Sequence, residues 1–327
     1  MNFKFKLLST LLYFSVLTCF GPKASSRAEV KMKTVSVSQI IQHPALDTTY
    51  KGLIEGLKRR GYIQGKNLNL NYEQAQGNLA IASQISQKFA SQNPDVLVGV
   101  ATGSAQSLVN ASQGIIPVVF SSVTDPIGAN LVKNLDGNPF PVTGVSNLTS
   151  MKEQLQFMKN VLPKLKRLGL IYNPSEFNST QLAKTIKDIA PEAGITVEES
   201  PANKTIEVPT ATRFLMGKVD AILITNDNTA LSAFDAVTQI SLQQKVPVFT
   251  SDVDIVSQGA LAALGPDQFE IGCQTGGLVA DILEGKDARK IPVGFPKSTS
   301  IYLNQSVASS LGLSFDAELI KQADKIL

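Results

Sequence analysis

Two stretches of this sequence resemble each other: VLVGVATGSAQSLVN at residues 96–110 and AILITNDNTALSAFD at residues 221–235. Each contains a run of aliphatic residues, a short polar turn and then an amphipathic segment. That order is typical of a buried β-strand followed by a helix in a parallel sheet. The pair therefore predicts an α/β fold in which one strand–turn–helix unit occurs twice.

The likeness extends through most of both halves of the chain. It indicates two similar lobes from a duplication, the alternative being a chance similarity between α/β halves. Three further pairs occur in the same order: IIQHPALDTT (40–49) with LIYNPSEFNS (170–179), GLKRRGYIQGKNLNLNYEQA (56–75) with IKDIAPEAGITVEESPA (186–202), and PVVFSSVTD (117–125) with PVFTSDVD (247–254).

Strand-like and helix-like segments alternate after residue 30, which favours parallel sheets with helices on both faces. Strands are predicted at Thr34–Ile41, Leu68–Glu73, Val96–Ala101, Val118–Val123, Arg167–Tyr172, Thr196–Glu199, Ala221–Thr225 and Val248–Ser251. Helices are predicted at Tyr50–Arg60, Ile81–Ser91, Ser104–Ala111, Lys152–Val161, Thr180–Ala190 and Ala230–Gln243.

The C-terminal part departs from this alternation. An apolar stretch at Gly259–Gly265 precedes a long predicted helix at 267–284, and a last strand and short helix follow. We therefore expect two doubly wound parallel-sheet lobes joined by a three-segment hinge. The first lobe would comprise residues 33–148 and 265–292, and the second residues 149–264 and 293–327.

The N-terminus has the composition of a secretory signal. Lys4 and Lys6 precede an apolar run at 7–20, and small residues follow at 24–28. Residues 1–28 are therefore predicted to be a signal peptide, with an uncleaved anchor as the alternative. The chain is expected to be exported to the periplasm or another extracytoplasmic space, and Cys19 is a candidate for lipid attachment, although Thr18 before it matches that signal poorly.

Charge excludes one class of partner. Residues 1–28 hold four of the 30 basic residues and none of the 27 acidic ones, which leaves 26 bases and 27 acids in the remainder. The basic balance of the whole chain therefore belongs to the signal, and a nucleic-acid partner loses its support in composition. Cys273 would be the single cysteine of the mature chain, so no internal disulfide is expected.

Polar residues follow the predicted strands at their carboxyl ends, where ligands bind in open parallel α/β sheets. We expect these residues to line one cleft between the lobes. In the first lobe they are Gln42, His43, Thr102, Gly103, Ser104, Ser121, Thr124 and Asp125, and in the second lobe Asn173, Glu176, Asn178, Ser179, Asn226, Asp227 and Asp252.

The loop ATGSAQ at 101–106 starts a predicted helix with small residues. Its free N–H groups and the hydroxyls of Thr102 and Ser104 could hold an anion such as a ligand carboxylate. The same hydroxyls could instead cap the helix. Asp252 is the better candidate partner for a ligand ammonium group, because Asp227 precedes a predicted helix that it could cap.

No catalytic site or cofactor site is expected. His43, the single histidine, has no accompanying nucleophile motif, and no Gly-Lys-Ser/Thr or G-x-G-x-x-G loop follows a strand. A metal site at Asp252 and Asp254 would lack the further ligands that metal ions require. A doubly wound enzyme therefore remains an alternative without a supporting motif.

Ten segments of the chain resemble the ABC-transporter substrate-binding proteins that include tryptophan- and tyrosine-linked receptors. They are QHPALD (42–47), GLKRRGY (56–62), QAQGN (74–78), ATGSAQ (101–106), PVVFSSVTDPIGANLV (117–132), TGVSN (143–147), YNPSEFNS (172–179), DAILITNDNTALSA (220–233), PVFTSDVD (247–254) and GALAALGPDQFEIG (259–272). The resemblance implies the two-lobed periplasmic-binding fold of the first topological type, a hinged cleft, and delivery to a permease in the membrane. It also supports Asn226 and Asp252 as ligand contacts, whereas Gly103 stands where the family often has proline.

The resulting hypothesis is a monomeric solute receptor that closes over an amino acid, with aromatic amino acids among the candidates. Phe120, Tyr172, Phe177 or Phe249 could supply an apolar wall, although each could also pack in a core. A ligand-sensing module that signals to a membrane partner is the remaining alternative, because it would use the same cleft.

Overall fold

The computed structural model of the chain describes Met1 and residues 31–327. Its helices and strands all lie in the compact unit formed by residues 32–327. Apart from Met1, the predicted signal peptide at 1–28 lies outside the described residues, and so does Cys19.

Five strands form the sheet of the first lobe: β1 (Lys33–Gln39), β2 (Leu68–Gln74), β3 (Val96–Val100), β4 (Val118–Val123) and β5 (Val142–Ser146). All pairs are parallel, in the order β2-β1-β3-β4-β5. Every residue of β3, β4 and β5 is buried, as in strands covered on both faces. The helices between them are α1 (Pro44–Arg59), α2 (Leu79–Ser91) and α3 (Thr102–Ser112).

The second lobe contains a seven-stranded sheet. Its strands are β6 (Arg167–Tyr172), β7 (Thr196–Pro201), β8 (Ala221–Ile224), β9 (Val248–Thr250), β10 (Ala262–Gly265), β11 (Ser300–Leu303) and β12 (Lys325–Ile326), in the order β12-β11-β10-β9-β8-β6-β7. Strand β11 runs antiparallel to β10, and the other pairs are parallel.

Helices cover this second sheet and connect its strands. They are α4 (Met151–Val161), α5 (Phe177–Ile189), α6 (Val208–Leu215), α7 (Asn228–Ser232), α8 (Phe234–Gln243), α10 (Gln305–Leu311) and α11 (Ala317–Gln322). Short 3-10 helices occur at Ala190–Ala193, Thr205–Glu207, Val253–Gln258 and Ala288–Lys290. The single helix predicted at Ala230–Gln243 is wrong: it breaks at Ala233, which places Phe234 in the core at 1% exposure.

The predicted two-lobed α/β fold is confirmed, and the chain passes between the lobes three times. The crossings follow β5, β10 and the 3-10 helix Ala288–Lys290. The first and third crossings are hydrogen-bonded side by side: Ser146 N donates to Gly294 O at 2.9 Å, and Gly294 N donates to Gly144 O at 2.8 Å. The residue boundaries of the lobes, 33–148 with 265–292 and 149–264 with 293–327, remain our proposal.

Between the second and third crossings lies helix α9 (Gln268–Leu283), which packs along α1 of the first lobe. A Cβ placed at Gly276 would lie 2.5 Å from the carbonyl oxygen of Leu53 and 2.7 Å from the backbone nitrogen of Leu57. Side chains would therefore force the two backbones apart. Four glycines allow this approach in the same way: Gly52 and Gly56 on α1, and Gly272 and Gly276 on α9.

We expect Gly276→Ala to lower the free energy of unfolding by about 1–3 kcal/mol, because the added methyl group has no space between the helices. Gly277→Ala is the matched control, since a Cβ at Gly277 meets no atom within 4 Å. That substitution should raise stability by up to about 1 kcal/mol through helix propensity. Equal urea midpoints for the two variants would contradict the close contact between α1 and α9.

Candidate functional site

A closed cavity lies between the lobes at the carboxyl ends of the strands. From the first lobe it is lined by His43, Leu46, Ala101, Thr102, Ser122, Thr124, Asn147 and Gln268, and from the second by Asn178, Asn226, Asn228, Leu231 and Asp252. Its volume is about 10 Å³, enough for about one water molecule. Ten of these thirteen residues are polar, which is unusual for a buried interface and indicates a recognition site.

Six of the residues predicted from strand ends are brought together at this cavity. They are His43, Thr102 and Thr124 of the first lobe and Asn178, Asn226 and Asp252 of the second. Their convergence follows from parallel topology, since the carboxyl ends of neighbouring strands meet at one edge of each sheet.

Other predicted residues do not line the cavity, because their side chains bond to other protein groups or face solvent. Three are serines: Ser104 Oγ lies 3.3 Å from Ser38 Oγ, Ser121 Oγ lies 2.7 Å from Thr275 Oγ1, and Ser179 Oγ donates to Asp227. Asp125 accepts from the backbone of Gly128 at 2.8 Å, and Gln42 is exposed. Strand-end position alone therefore does not decide which way a side chain points.

Glu176 organises the second-lobe side of the site. Its carboxylate accepts from the side chain of Asn228 at 2.6 Å, and from the backbone N–H and the hydroxyl of Thr229 at 3.0 and 2.8 Å. Asn173 also donates to Thr229 Oγ1 at 2.8 Å. Glu176 and Asn173 thus fix the start of α7, with both lining a groove outside the cavity rather than the cavity itself.

Asp227 is fully buried behind the cavity and serves the backbone. One oxygen accepts from Asn173 N at 2.5 Å and from Ser179 Oγ, and the other accepts from Ala230 N at 2.6 Å as the cap of α7. Burial, and next the charge of Glu176, raise its pKa to about 7 against those three donors. The capping role considered from the sequence is the one that the structure shows.

Three buried polar atoms at the cavity have no hydrogen-bonding partner among the described residues. They are Nδ1 of His43, Oγ1 of Thr102 and Oδ1 of Asn226, in side chains that are 3%, 2% and 7% exposed. Leaving such atoms unpaired costs about 1–3 kcal/mol each. All three residues line one cavity, which indicates a site for a polar ligand.

Helix α3 begins at this cavity in a strained conformation. Ala101, the residue before it, has φ 69° and ψ 161°, a region that L side chains rarely adopt, and no side chain caps the helix. The first backbone N–H groups of α3, at Thr102 and Gly103, therefore have no side-chain acceptor. The capping alternative for the 101–106 loop is not what the structure shows.

Sequence reasoning missed several residues of the cavity. Asn147 and Gln268 lie on the first and second crossings, where no strand-to-helix pattern marks them, and Leu46 and Leu231 lie one turn inside helices. Gln268 directly follows Asp267, whose side chain accepts from Glu270 N at 3.1 Å as the cap of α9. A capping residue after an apolar strand was the available signal for Gln268.

Burial controls the protonation of the two titratable groups that line the cavity. It lowers the pKa of His43 to about 4, against smaller opposing effects of the hydrogen bond with Asn228 and the charge of Asp47. It raises the pKa of Asp252 well above the ordinary range, and the charge of Asp254 adds to that effect. Burial in the closed cavity therefore favours the neutral forms of both side chains.

Few direct polar contacts hold the lobes together. His43 Nε2 and Asn228 Oδ1 lie 3.3 Å apart, and this is the one hydrogen bond between two side chains that joins the lobes within residues 31–327. None of the ion pairs among the described residues joins the lobes.

A groove of about 530 Å³ opens outside the cavity, between the same two lobes. Asn178 and Asn228 border both spaces. Among the aromatic residues considered from the sequence, Phe177 lines this groove, whereas Phe120 and Phe249 are fully buried in the cores. None of the four lines the closed cavity.

The part of the chain that the structure describes contains no helix with the length and apolar character to cross a membrane. It also contains no cluster of three or more His, Cys, Asp and Glu side chains that could bind a metal ion.

The buried imidazole generates a prediction for stability against pH. Because the pKa of His43 is lower in the folded protein than in the unfolded chain, its contribution is complete above pH 6.5 and is lost as pH falls toward 4. The native protein should lose up to about 3 kcal/mol relative to His43→Gln over that interval. Parallel pH profiles from urea titrations of the two proteins would contradict a buried neutral His43.

Known proteins similar to this chain share its fold over most of its length. A tyrosine-binding protein of Clostridioides difficile is 34% identical over 283 residues, which are 86% of this chain and 82% of that protein. A conserved domain protein of Vibrio cholerae superposes with a TM-score of 0.89 at 42% identity, covering 91% of this chain and 100% of that one.

Two further similar structures were solved in different states, one with a ligand and one without. An ABC domain of Streptococcus pneumoniae in complex with L-Trp gives a TM-score of 0.87 at 32% identity, covering 91% of this chain and all of that one. The ligand-free, open structure of an adhesive substrate-binding protein of Clostridium difficile gives 0.67 at 31% identity, covering 90% and 99%.

The sequence model of the ABC transporter substrate-binding proteins matches residues 34–327. This family consists of solute-binding proteins rather than enzymes, and its members bind small molecules for ABC permeases. With the match spanning both lobes and the closed cavity between them, the chain belongs to the ABC transporter substrate-binding protein family.

Proposed function

We propose that this protein is the solute-binding component of an ABC importer and that it captures an amino acid, with aromatic amino acids as the first candidates. Hinge closure would enclose the ligand between the lobes. The single observation that carries the proposal is the convergence of three unpaired buried polar atoms, on His43, Thr102 and Asn226, at one interlobe cavity.

The two sides of the cavity suit the two charged groups of an amino acid. Asp252 of the second lobe offers a carboxyl group, whose pKa is raised by burial and next by the charge of Asp254. The ammonium group of a ligand would favour the ionised form of this side chain. In the first lobe, Thr102 and the uncapped start of α3 offer donors for a carboxylate.

The closed conformation supports capture by hinge closure. At nearly equal identity, the structure superposes better on the L-Trp complex, with a TM-score of 0.87, than on the ligand-free open structure, with 0.67. The cavity has room for only about one water molecule, so an amino acid must enter while the lobes are apart. Binding then selects the closed state.

The relatives support the ligand class. One is a tyrosine-binding protein and another was solved with L-Trp. The cavity of this chain has only Leu46, Ala101 and Leu231 as apolar lining, so an aromatic ring would extend toward the outer groove beside Phe177.

The proposal extends to the location and the oligomeric state of the protein. Export through the signal at 1–28, with lipid attachment at Cys19 as an option, would place the receptor outside the cytoplasm beside its permease. We expect it to act as a monomer, because each chain contributes both walls of the cavity.

Isothermal titration of the purified protein with L-tyrosine, L-tryptophan and L-phenylalanine tests this function. We expect saturable binding of at least one, and Asp252→Asn should weaken it by about 2–5 kcal/mol, at least ~30-fold, because the buried ammonium group loses its charged partner. Asp188→Asn on the exposed surface of α5 is the matched control and should bind as the native protein does.

Two results would count against the proposal. Absence of binding to every amino acid, with saturable binding of a sugar instead, would replace the ligand class. Native affinity in the Asp252→Asn variant would remove the ammonium site from the second lobe.

A further inference from the structure

Two amides on the hinge crossings share one arrangement. Asn147, on the first crossing, and Gln268, directly after the second, both line the cavity and are 4% and 1% exposed. The hydroxyl of Thr124 donates to Oδ1 of Asn147 at 3.2 Å. The amide oxygen of Asn147 is thus paired within the protein.

The hydrogen bonds at Gln268 are the more extensive. Ser122 Oγ donates to Oε1 at 2.8 Å, and Thr49 Oγ1 donates to the same oxygen at 3.0 Å. Both hydroxyls are buried, and they lie 3.2 Å from each other. Ser122 has φ 55°, a left-handed backbone that is uncommon for a residue other than glycine, so the chain holds this hydroxyl in place at a conformational cost.

The amide nitrogens of both residues have no hydrogen-bonding partner among the described residues. A side-chain NH₂ group only donates, so each of these two groups is a free donor on a residue that lines the cavity. One ligand group that enters this cavity could therefore accept from both residues. A carboxylate, which accepts through two oxygens, suits such a pair of donors.

We propose that Asn147 and Gln268 form the carboxylate reader of this receptor, with Thr49, Ser122 and Thr124 as positioning residues that fix the amide orientation. This inference rests on the proposed function and adds two donors to those that Thr102 and the start of α3 offer the acid end of the ligand. Because Asn147 lies on the first crossing and Gln268 directly after the second, carboxylate binding would act beside the segments that move during closure. The ammonium group then lies toward Asp252 of the second lobe.

Replacing the hydrogen-bond donor of Gln268 by an acceptor tests whether this residue binds the ligand carboxylate. Gln268→Glu keeps two acceptor oxygens for Thr49 and Ser122 but replaces the NH₂ donor by a carboxylate oxygen. We expect affinity for L-tyrosine and L-tryptophan to fall at least ~100-fold, because two buried carboxylates would face each other. Their amides, which retain the ammonium group and the ring, should lose far less, so the preference for acid over amide should fall at least ~tenfold.

Two kinds of control variant distinguish a residue that binds the carboxylate from one that only supports the structure. Gln156→Glu makes the same change on the exposed face of α4 and should leave the acid-to-amide ratio as in the native protein. Thr49→Val should lower the ratio about two- to tenfold by freeing the amide to rotate, and Thr49→Ser should restore it. If Gln268→Glu does not fold, Asn147→Asp carries the same test.

The outcomes are distinct. An unchanged acid-to-amide ratio in folded Gln268→Glu would overturn the reader while leaving the proposed function intact. Tighter binding of L-tyrosine by that variant would show that Oε1 faces the ligand, and would overturn the assignment of the acid end. Failure of the native protein to bind any amino acid would overturn both proposals.

Discussion

The close packing of α9 on α1 is the contact on which the rest of the structure depends. Four glycines remove the side chains that would separate the two backbones, so a helix from the C-terminal part of the chain becomes part of the first lobe. The chain must then cross between the lobes twice more than a simple tandem of domains would. Those extra crossings create the hinge and carry Gln268 to the edge of the cavity.

Under the proposed function, the closed cavity gives a physical reason why closure would need a ligand. The closed lobes bury Asp252, His43 and several unpaired polar atoms, while one hydrogen bond between side chains joins the lobes within residues 31–327. Desolvation of those groups would oppose closure without a ligand. A ligand that pairs with them would remove this cost, and its differential affinity for the closed form would shift the equilibrium.

Much of the architecture was predictable because strand and helix periodicities repeat in the two halves. The rule for parallel strand ends also located His43, Thr102, Asn226 and Asp252, since backbone topology alone places them at one edge. It could not distinguish them from Asp227, whose carboxylate faces the backbone behind the cavity. Two residues beside the crossings were missed for a different reason. Asn147 reaches the site through the hinge, which no local pattern encodes. Gln268 reaches it through the packing of α9, of which the sequence marks only the start, with the capping residue Asp267.

Closure over a ligand is the central claim, and an interlobe distance tests it most directly. Spin labels at Ala80→Cys and Ile206→Cys, in a Cys273→Ala background, would report the width of the outer groove, because residues 80 and 206 are exposed on its opposite walls. Pulsed electron–electron double resonance should give a long, broad distribution of distances between the two labels without ligand. At saturation with the bound amino acid, the distribution should be short and narrow. One unchanged distribution at saturation would contradict closure.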